Sequence, residues 1–171
     1  MSNLSFPLII AGFSGIGKTT LAAKYKNVID LDAATYVYTD IGLEHLSLEE
    51  RKGLKRPSNP NWPMNYIEAI QSAIKRYDII LVWDRPDIVN MYLSHHIPFL
   101  LCYPSRDSLR EYYDRFISRG NSKSYANMKM DQYETRLSFY QQLPVDKIIL
   151  GSKETLEDYL KNHDILLTPW T

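Results

Sequence analysis

The chain has 171 residues, 44% of them hydrophobic, and 20 basic residues balance 20 acidic ones to a formal net charge of zero. That length fits one domain, residues 1–171, with a real core. Zero net charge excludes the broad basic field of an extended nucleic-acid surface, so anions must be bound at local sites. The single cysteine, Cys102, excludes an internal disulfide and sits in an apolar run as a buried small hydrophobe. No apolar run reaches membrane-spanning length, and the N-terminus carries no basic-then-apolar leader, so a cytoplasmic protein is expected.

In chain order, Leu8-Ile9-Ile10-Ala11 reads as a buried strand. It runs into Gly12-Phe13-Ser14-Gly15-Ile16-Gly17-Lys18-Thr19, and Thr20-Leu21-Ala22-Ala23-Lys24 continues as a helix. This is the phosphate-binding pattern G-x-x-x-x-G-K-[ST] between a strand and a helix. Glycines let successive backbone N–H groups curl toward phosphate oxygens, and the helix adds its positive dipole end. Gly12 to Thr20 is therefore the expected ATP cradle, with Lys18 on the β- and γ-phosphates and Thr19 on Mg²⁺.

Asn27 to Asp32 reads as a second strand with an acidic end. Residues 33 to 62 form an irregular insertion, in which Ser47 and Glu50 make a helix-start pair and Lys52 to Pro63 is rich in turn formers. Ile67, Ile70, Ile74 and Tyr77 then mark a helix face, and Asp78 to Asp84 a continuous apolar strand. A helix to His95 leads to a fourth strand, Pro98 to Tyr103. A helix capped by Ser105 runs through Arg119, followed by a polar break from Gly120 to Ser124 and a helix from about Asn127 to Gln142. Lys147 to Leu150 is the fifth strand, and Ser152 is read as the cap of a last helix through Asn162. The thirteen tyrosines fall in helical segments and read as packing rather than as base-stacking platforms. Alternating strands and amphipathic helices give a three-layer α/β fold with a parallel sheet.

Ligands in such sheets lie beyond the carboxyl ends of the strands, which makes the strand-end residues the candidates. Asp84 ends a buried strand and is read as a second Mg²⁺ holder beside Thr19, or else as a cap on the turn at Pro86. Asp30 and Asp32 share a side and would orient an acceptor, assist Mg²⁺ or take a hydroxyl proton, Asp32 being the favoured base; the alternative is helix capping. Arg85 is a candidate for an acceptor phosphate, or a surface ion pair; Arg56 is a further candidate. Arg115 and Arg119, four apart beside the break, would neutralise the transferring phosphoryl group from a closing lid, unless Arg115 pairs with Glu111. Trp62 reads as a packing anchor for the insertion or else as a substrate-facing aromatic, the packing role being favoured.

Taken together, the chain resembles a small P-loop kinase of the nucleoside-monophosphate-kinase type, as found among bacterial and bacteriophage proteins. The residues that carry the resemblance are GFSGIGKTT, the strand ends DLD and VWDRP, the segment YDRFISRGN and the closing ILGSKETLEDYL. The resemblance implies a P-loop NTPase fold, α/β/α, with five parallel strands ordered 2-3-1-4-5. It also implies an acceptor-binding segment at about 33–62, a lid at about 115–127, and a loop at about Gly151 to Lys153 near the adenine. In its terms Arg85 matches the acceptor-phosphate arginine, and Arg115 and Arg119 the lid arginines.

The expected activity is phosphoryl transfer from ATP, with Mg²⁺, to a small acceptor, first of all a (deoxy)nucleoside monophosphate. One alternative is a kinase of a hydroxyl on a metabolite, nucleoside or polynucleotide end, with Asp32 as base. Another is a nucleotide-binding module with no small-molecule acceptor.

Overall fold

The structure is a computed structural model that describes residues 7–51 and 53–171. Five strands, β1 (Leu8–Gly12), β2 (Val28–Asp30), β3 (Ile79–Trp83), β4 (Leu100–Pro104) and β5 (Lys147–Leu150), form one sheet in the order β2-β3-β1-β4-β5. All four pairings are parallel. This is the expected three-layer architecture and strand order. Every residue of β1 is buried, as a central parallel strand covered on both faces must be. Its register runs from Leu8 opposite Ile79 to Gly12 opposite Trp83, so the phosphate loop leaves the sheet level with the end of β3.

The helices are α1 (Lys18–Lys24), α2 (Ala34–Val37), α3 (Leu48–Arg51), α4 (Met64–Ala73), α5 (Pro86–Ser94), α6 (Leu109–Ser118), α7 (Lys123–Gln142) and α8 (Leu156–Asn162). A 3-10 turn, Arg106–Ser108, precedes α6 where one continuous helix is expected from the sequence. The helix after it begins earlier than expected. The turn Gly120–Ser122 is short and locked, with Asn121 donating to the Phe116 carbonyl from both its backbone and its side chain, and Ser122 accepting from the Tyr125 N–H. The last helix is capped not by Ser152 but by Thr155, in a reciprocal box with Asp158. The Ser47–Glu50 box forms as read, with bonds of 2.7 and 3.3 Å. No described helix is long and apolar enough to cross a membrane.

Tyrosines carry much of the interior. Tyr66, Tyr92, Tyr112, Tyr133 and Tyr140 are all fully buried. The Tyr66 hydroxyl donates to the Leu31 carbonyl and accepts from the Trp83 N–H, which ties the ends of β2 and β3 together beneath the site. Cys102 is buried as expected, and burial pushes its thiol pKa up.

A carboxylate also pins the two terminal helices of the fold. Glu157 of α8 accepts from Lys24 (2.9 Å), Tyr25 (2.6 Å) and Lys161 (2.8 Å). The hydrogen bond from Lys161, with those from Tyr25 and Lys24, brings the Glu157 pKa down to about 2. A carboxylate depressed from 4.5 stabilises the fold fully above its unfolded value and loses that contribution as pH falls through the folded one. Urea denaturation of Glu157→Gln is expected to show a loss of about 1–2 kcal/mol at neutral pH. It should also show a flatter decline than wild type between pH 4.5 and 2. Parallel acid limbs would contradict the assignment.

Candidate active site

The site is built from the ends of β1, β2 and β3 and from the α6–α7 hairpin. In the loop after β1, Phe13 and Ile16 are fully buried. Phe13 packs edge-on against Tyr133 at 5.6 Å and near Tyr112 at 6.5 Å, while the Ile16 carbonyl accepts from the Leu156 N–H at 3.1 Å. Both side chains point away from any ligand, so these two positions can offer only backbone. With its apolar residues anchored below, the loop backbone is held in shape above.

Two glycines set that shape. Gly17 caps α1 with φ 100°, a left-handed conformation that a β-carbon would strain. Gly15 has φ 87°, and a β-carbon there would come within 3.1 Å of Tyr112 and 3.3 Å of Phe116. The first turn of α1 carries no acidic residue and no side-chain cap, which leaves its positive end available to an anion. Lys18 Nζ donates to the carbonyls of Gly12 (2.5 Å) and Phe13 (3.2 Å). Burial pushes the Lys18 pKa down, against the pull of Asp84 and Asp30. This concave, cationic, backbone-lined loop fits a polyphosphate.

A single cleft of about 780 Å³ joins this loop to the strand ends. It is lined by Lys18, Thr19 and Thr20, by Asp30 and Asp32, by Arg85, and by Arg119. The structure therefore brings these sequence-selected residues to one place. Thr19 Oγ1 donates to Asp30 Oδ2 at 3.0 Å. A hydroxyl and a carboxylate in contact are a fitting oxygen set for Mg²⁺. Burial raises the Asp30 pKa, opposed by the Thr19 hydrogen bond and by Lys18. Asp32 is exposed, and its Oδ1 accepts from the Ala34 N–H at 3.1 Å, so it starts α2 while its other oxygen faces away from that bond.

Four expectations are corrected. Asp84 does not present an open carboxylate to a metal. It is 1% exposed, Arg136 Nη1 binds one of its oxygens at 3.0 Å, and the Tyr140 hydroxyl binds the other. Arg115 does not reach into the cleft as a free lid cation. Its guanidinium donates to the Gly15 carbonyl and lies 4.5 Å over the Tyr112 ring, so it braces the phosphate loop from behind. Nor does Glu111 hold Arg115 in a hydrogen-bonded pair. Glu111 accepts instead from Ser152 and from the Lys153 N–H at 2.8 Å, which occupies the loop expected near an adenine. Arg56 faces away from the cleft, paired with Asp40 at 3.1 Å and lying 5.6 Å from the Tyr38 ring.

Two cleft residues escaped the sequence reading. Tyr125 and Lys129, both from α7, line the cleft opposite the phosphate loop. Lys129 Nζ lies 5.4 Å from the Tyr125 ring, and burial, reinforced by Arg136, lowers its pKa. The signal was present. Tyr125, Lys129, Arg136 and Tyr140 follow at steps of four, seven and four, which place them along one stripe of a helix. Trp62 packs as expected, 5.7 Å from Tyr66 and 6.3 Å from Trp83.

No protein-family model matches the chain, and no curated protein matches it in sequence. Two solved structures are similar in shape. One is the tunicamycin resistance protein of Deinococcus radiodurans, 15% identical, covering 97% of this chain and 100% of that one with a TM-score of 0.54. The other is the shikimate kinase of Bacteroides thetaiotaomicron, 16% identical over 92% of each chain with a TM-score of 0.44. At such identity the first likeness reports architecture alone, a five-stranded parallel sheet between helices, and at its TM-score the second carries no argument.

Proposed function

We propose that the chain is an ATP-dependent phosphotransferase that acts on a small-molecule acceptor. The observation that carries this reading is the single cleft lined by Lys18 and Thr19, by Asp30 in contact with Thr19, by Asp32, and by Arg119 and Lys129. A donor and an acceptor fit side by side in such a cleft, which a simple nucleotide-binding module has no need of.

Thr19 and Asp30 would hold Mg²⁺, which would supply positive charge to the triphosphate of the donor. Lys18 supplies a point charge to the same phosphates. Arg119 and Lys129 neutralise charge on the transferring group. Asp32 accepts the proton of an acceptor hydroxyl as its oxygen bonds to the γ-phosphorus; the bond from phosphorus to the bridging oxygen breaks, and ADP leaves with the electron pair.

A second reading, a nucleoside monophosphate as acceptor, would use Arg85, which lines the cleft and is paired with Asp87. An already ionised acceptor needs no base. Labelled ATP offered with monophosphates, nucleosides and small alcohols tests both. Asp32→Asn is expected to lower turnover on a hydroxyl acceptor by about 10²–10⁴-fold. Turnover near wild type would favour the monophosphate.

A further inference from the structure

We infer that the acceptor is a ring-bearing alcohol with no anionic group, of the nucleoside, sugar or aminosugar kind, rather than a phosphomonoester. This rests on the kinase reading above and commits its acceptor. The cleft is electrically divided. Its free cations, Lys18, Arg119 and Lys129, lie on the phosphate-loop and hairpin walls, where a polyphosphate donor belongs. The wall formed by the ends of β2 and β3 carries Asp30, Asp32 and Arg85.

Among the described residues lining that wall Arg85 is the one cation, and it is already ion-paired. Its Nε and Nη2 donate to the two carboxylate oxygens of Asp87 at 2.5 and 2.6 Å, and its face lies 4.5 Å over Trp83. Arg56, a cation of the acceptor segment, is paired with Asp40 and is not among the cleft-lining residues. With Asp30 committed beside Thr19 to the donor's metal, a phosphate dianion entering here would face the Asp32 carboxylate and, among the described cleft-lining arginines of this wall, only the Asp87-paired Arg85. Like charges at such range repel, and desolvation in the cleft strengthens the effect. An uncharged hydroxyl, or one beside an ammonium, meets no such penalty and gains a carboxylate to take its proton.

The rest of this wall is apolar and aromatic. Trp83, Val37 and Tyr38 line it, and Tyr38 is 41% exposed. Tyr38 is held there by its bridge to Ser58 and by the Arg56 guanidinium near its ring. Aromatic side chains on a cleft wall give a ring a surface to stack on. Thus the segment with the least readable sequence supplies the ring-binding surface.

The full chain, with a non-hydrolysable ATP analogue filling the donor half, is titrated with inorganic phosphate and with matched pairs: uridine and its 5′-monophosphate, glucose and glucose 6-phosphate, glucosamine and its 6-phosphate. Wild type is expected to show no saturable phosphate binding and at least tenfold weaker binding of each phosphorylated member. Asp87→Ala and Asp87→Asn, which free Arg85, should raise the affinity for inorganic phosphate at least tenfold without changing that for the ATP analogue. Saturable phosphate binding in wild type, or phosphate affinity indifferent to Asp87, overturns the inference while leaving the kinase reading intact. Failure of the ATP analogue itself to bind brings down the kinase reading instead. Within the supporting outcome, glucosamine and neutral members separate an ammonium-bearing acceptor from an uncharged one.

Discussion

Lys18→Ala is expected to lower phosphoryl transfer by at least about 10²–10³-fold while the protein remains folded. The lysine is the one side chain that the phosphate loop itself contributes as a full positive charge. Its replacement by a methyl group removes that charge from the β- and γ-phosphates, where negative charge shifts as the bond to the bridging oxygen breaks. The structural cost is small by comparison. The ammonium donates only to the Gly12 and Phe13 carbonyls, and a pair of such bonds is worth about 1–3 kcal/mol at most. The shape of the loop does not depend on it, because Phe13 and Ile16 anchor the loop in the core. Labelled-ATP turnover and thermal melting on the same preparation separate the two effects. Unchanged ATP consumption in the variant would remove the foundation of the whole site.

Arg136→Met is expected to be the most destabilising single change away from the phosphate loop. The Arg136 side chain is 12% exposed and that of Asp84 2% exposed, with 3.0 Å between them. Burial works against the charge on Arg136, yet Asp84 and Tyr140 overcome it and hold its pKa above the ordinary value. Removing the guanidinium leaves a carboxylate in the interior with the Tyr140 hydroxyl as its side-chain hydrogen bond and Lys18 and Lys129 as more distant charges. Breaking a buried pair from one side costs about 3–5 kcal/mol. In a chain of this size that is a fall of roughly 6–20 °C in melting temperature. Replacing both partners, Asp84→Asn with Arg136→Met, should recover a substantial part, because no charge is then stranded. If the double variant is as unstable as the sum of the two singles, Asp84 and Arg136 do not act as a pair.

The Asp84 result also shows where the sequence could be read and where it could not. The strand ending in Asp84 was plain from its apolar run, and its parallel neighbours and their order followed from alternation and resemblance. The partner of Asp84 was not plain. Arg136 lies 52 positions later on a helix whose buried stripe reads as purely apolar, and only the three-dimensional path of α7 brings it under β3. Local patterns such as the phosphate loop and the Ser47–Glu50 box are legible because their physics closes within a few residues. Arg115 and Arg119 look equivalent in sequence, yet one turn of helix separates a brace on Gly15 from a residue lining the cleft. Residues 33 to 62 were hardest to read because they are held by scattered ties between distant positions, among them Asn65 to the Tyr36 carbonyl, Thr39 to Pro57 and Asn59 to Val37, that leave no periodic trace.

The locked turn between α6 and α7 makes the far wall of the cleft a cantilever. Its root is embedded through Tyr133, which donates to the Pro104 carbonyl, and through Tyr140 on Asp84. Its tip carries Arg119 on one arm and Tyr125 on the other, with Lys129 one turn back along the beam. A loop could bring its charges to the donor one at a time. On one hairpin joined by a locked turn, the two cations keep a fixed spacing relative to each other, which separate loops would not give.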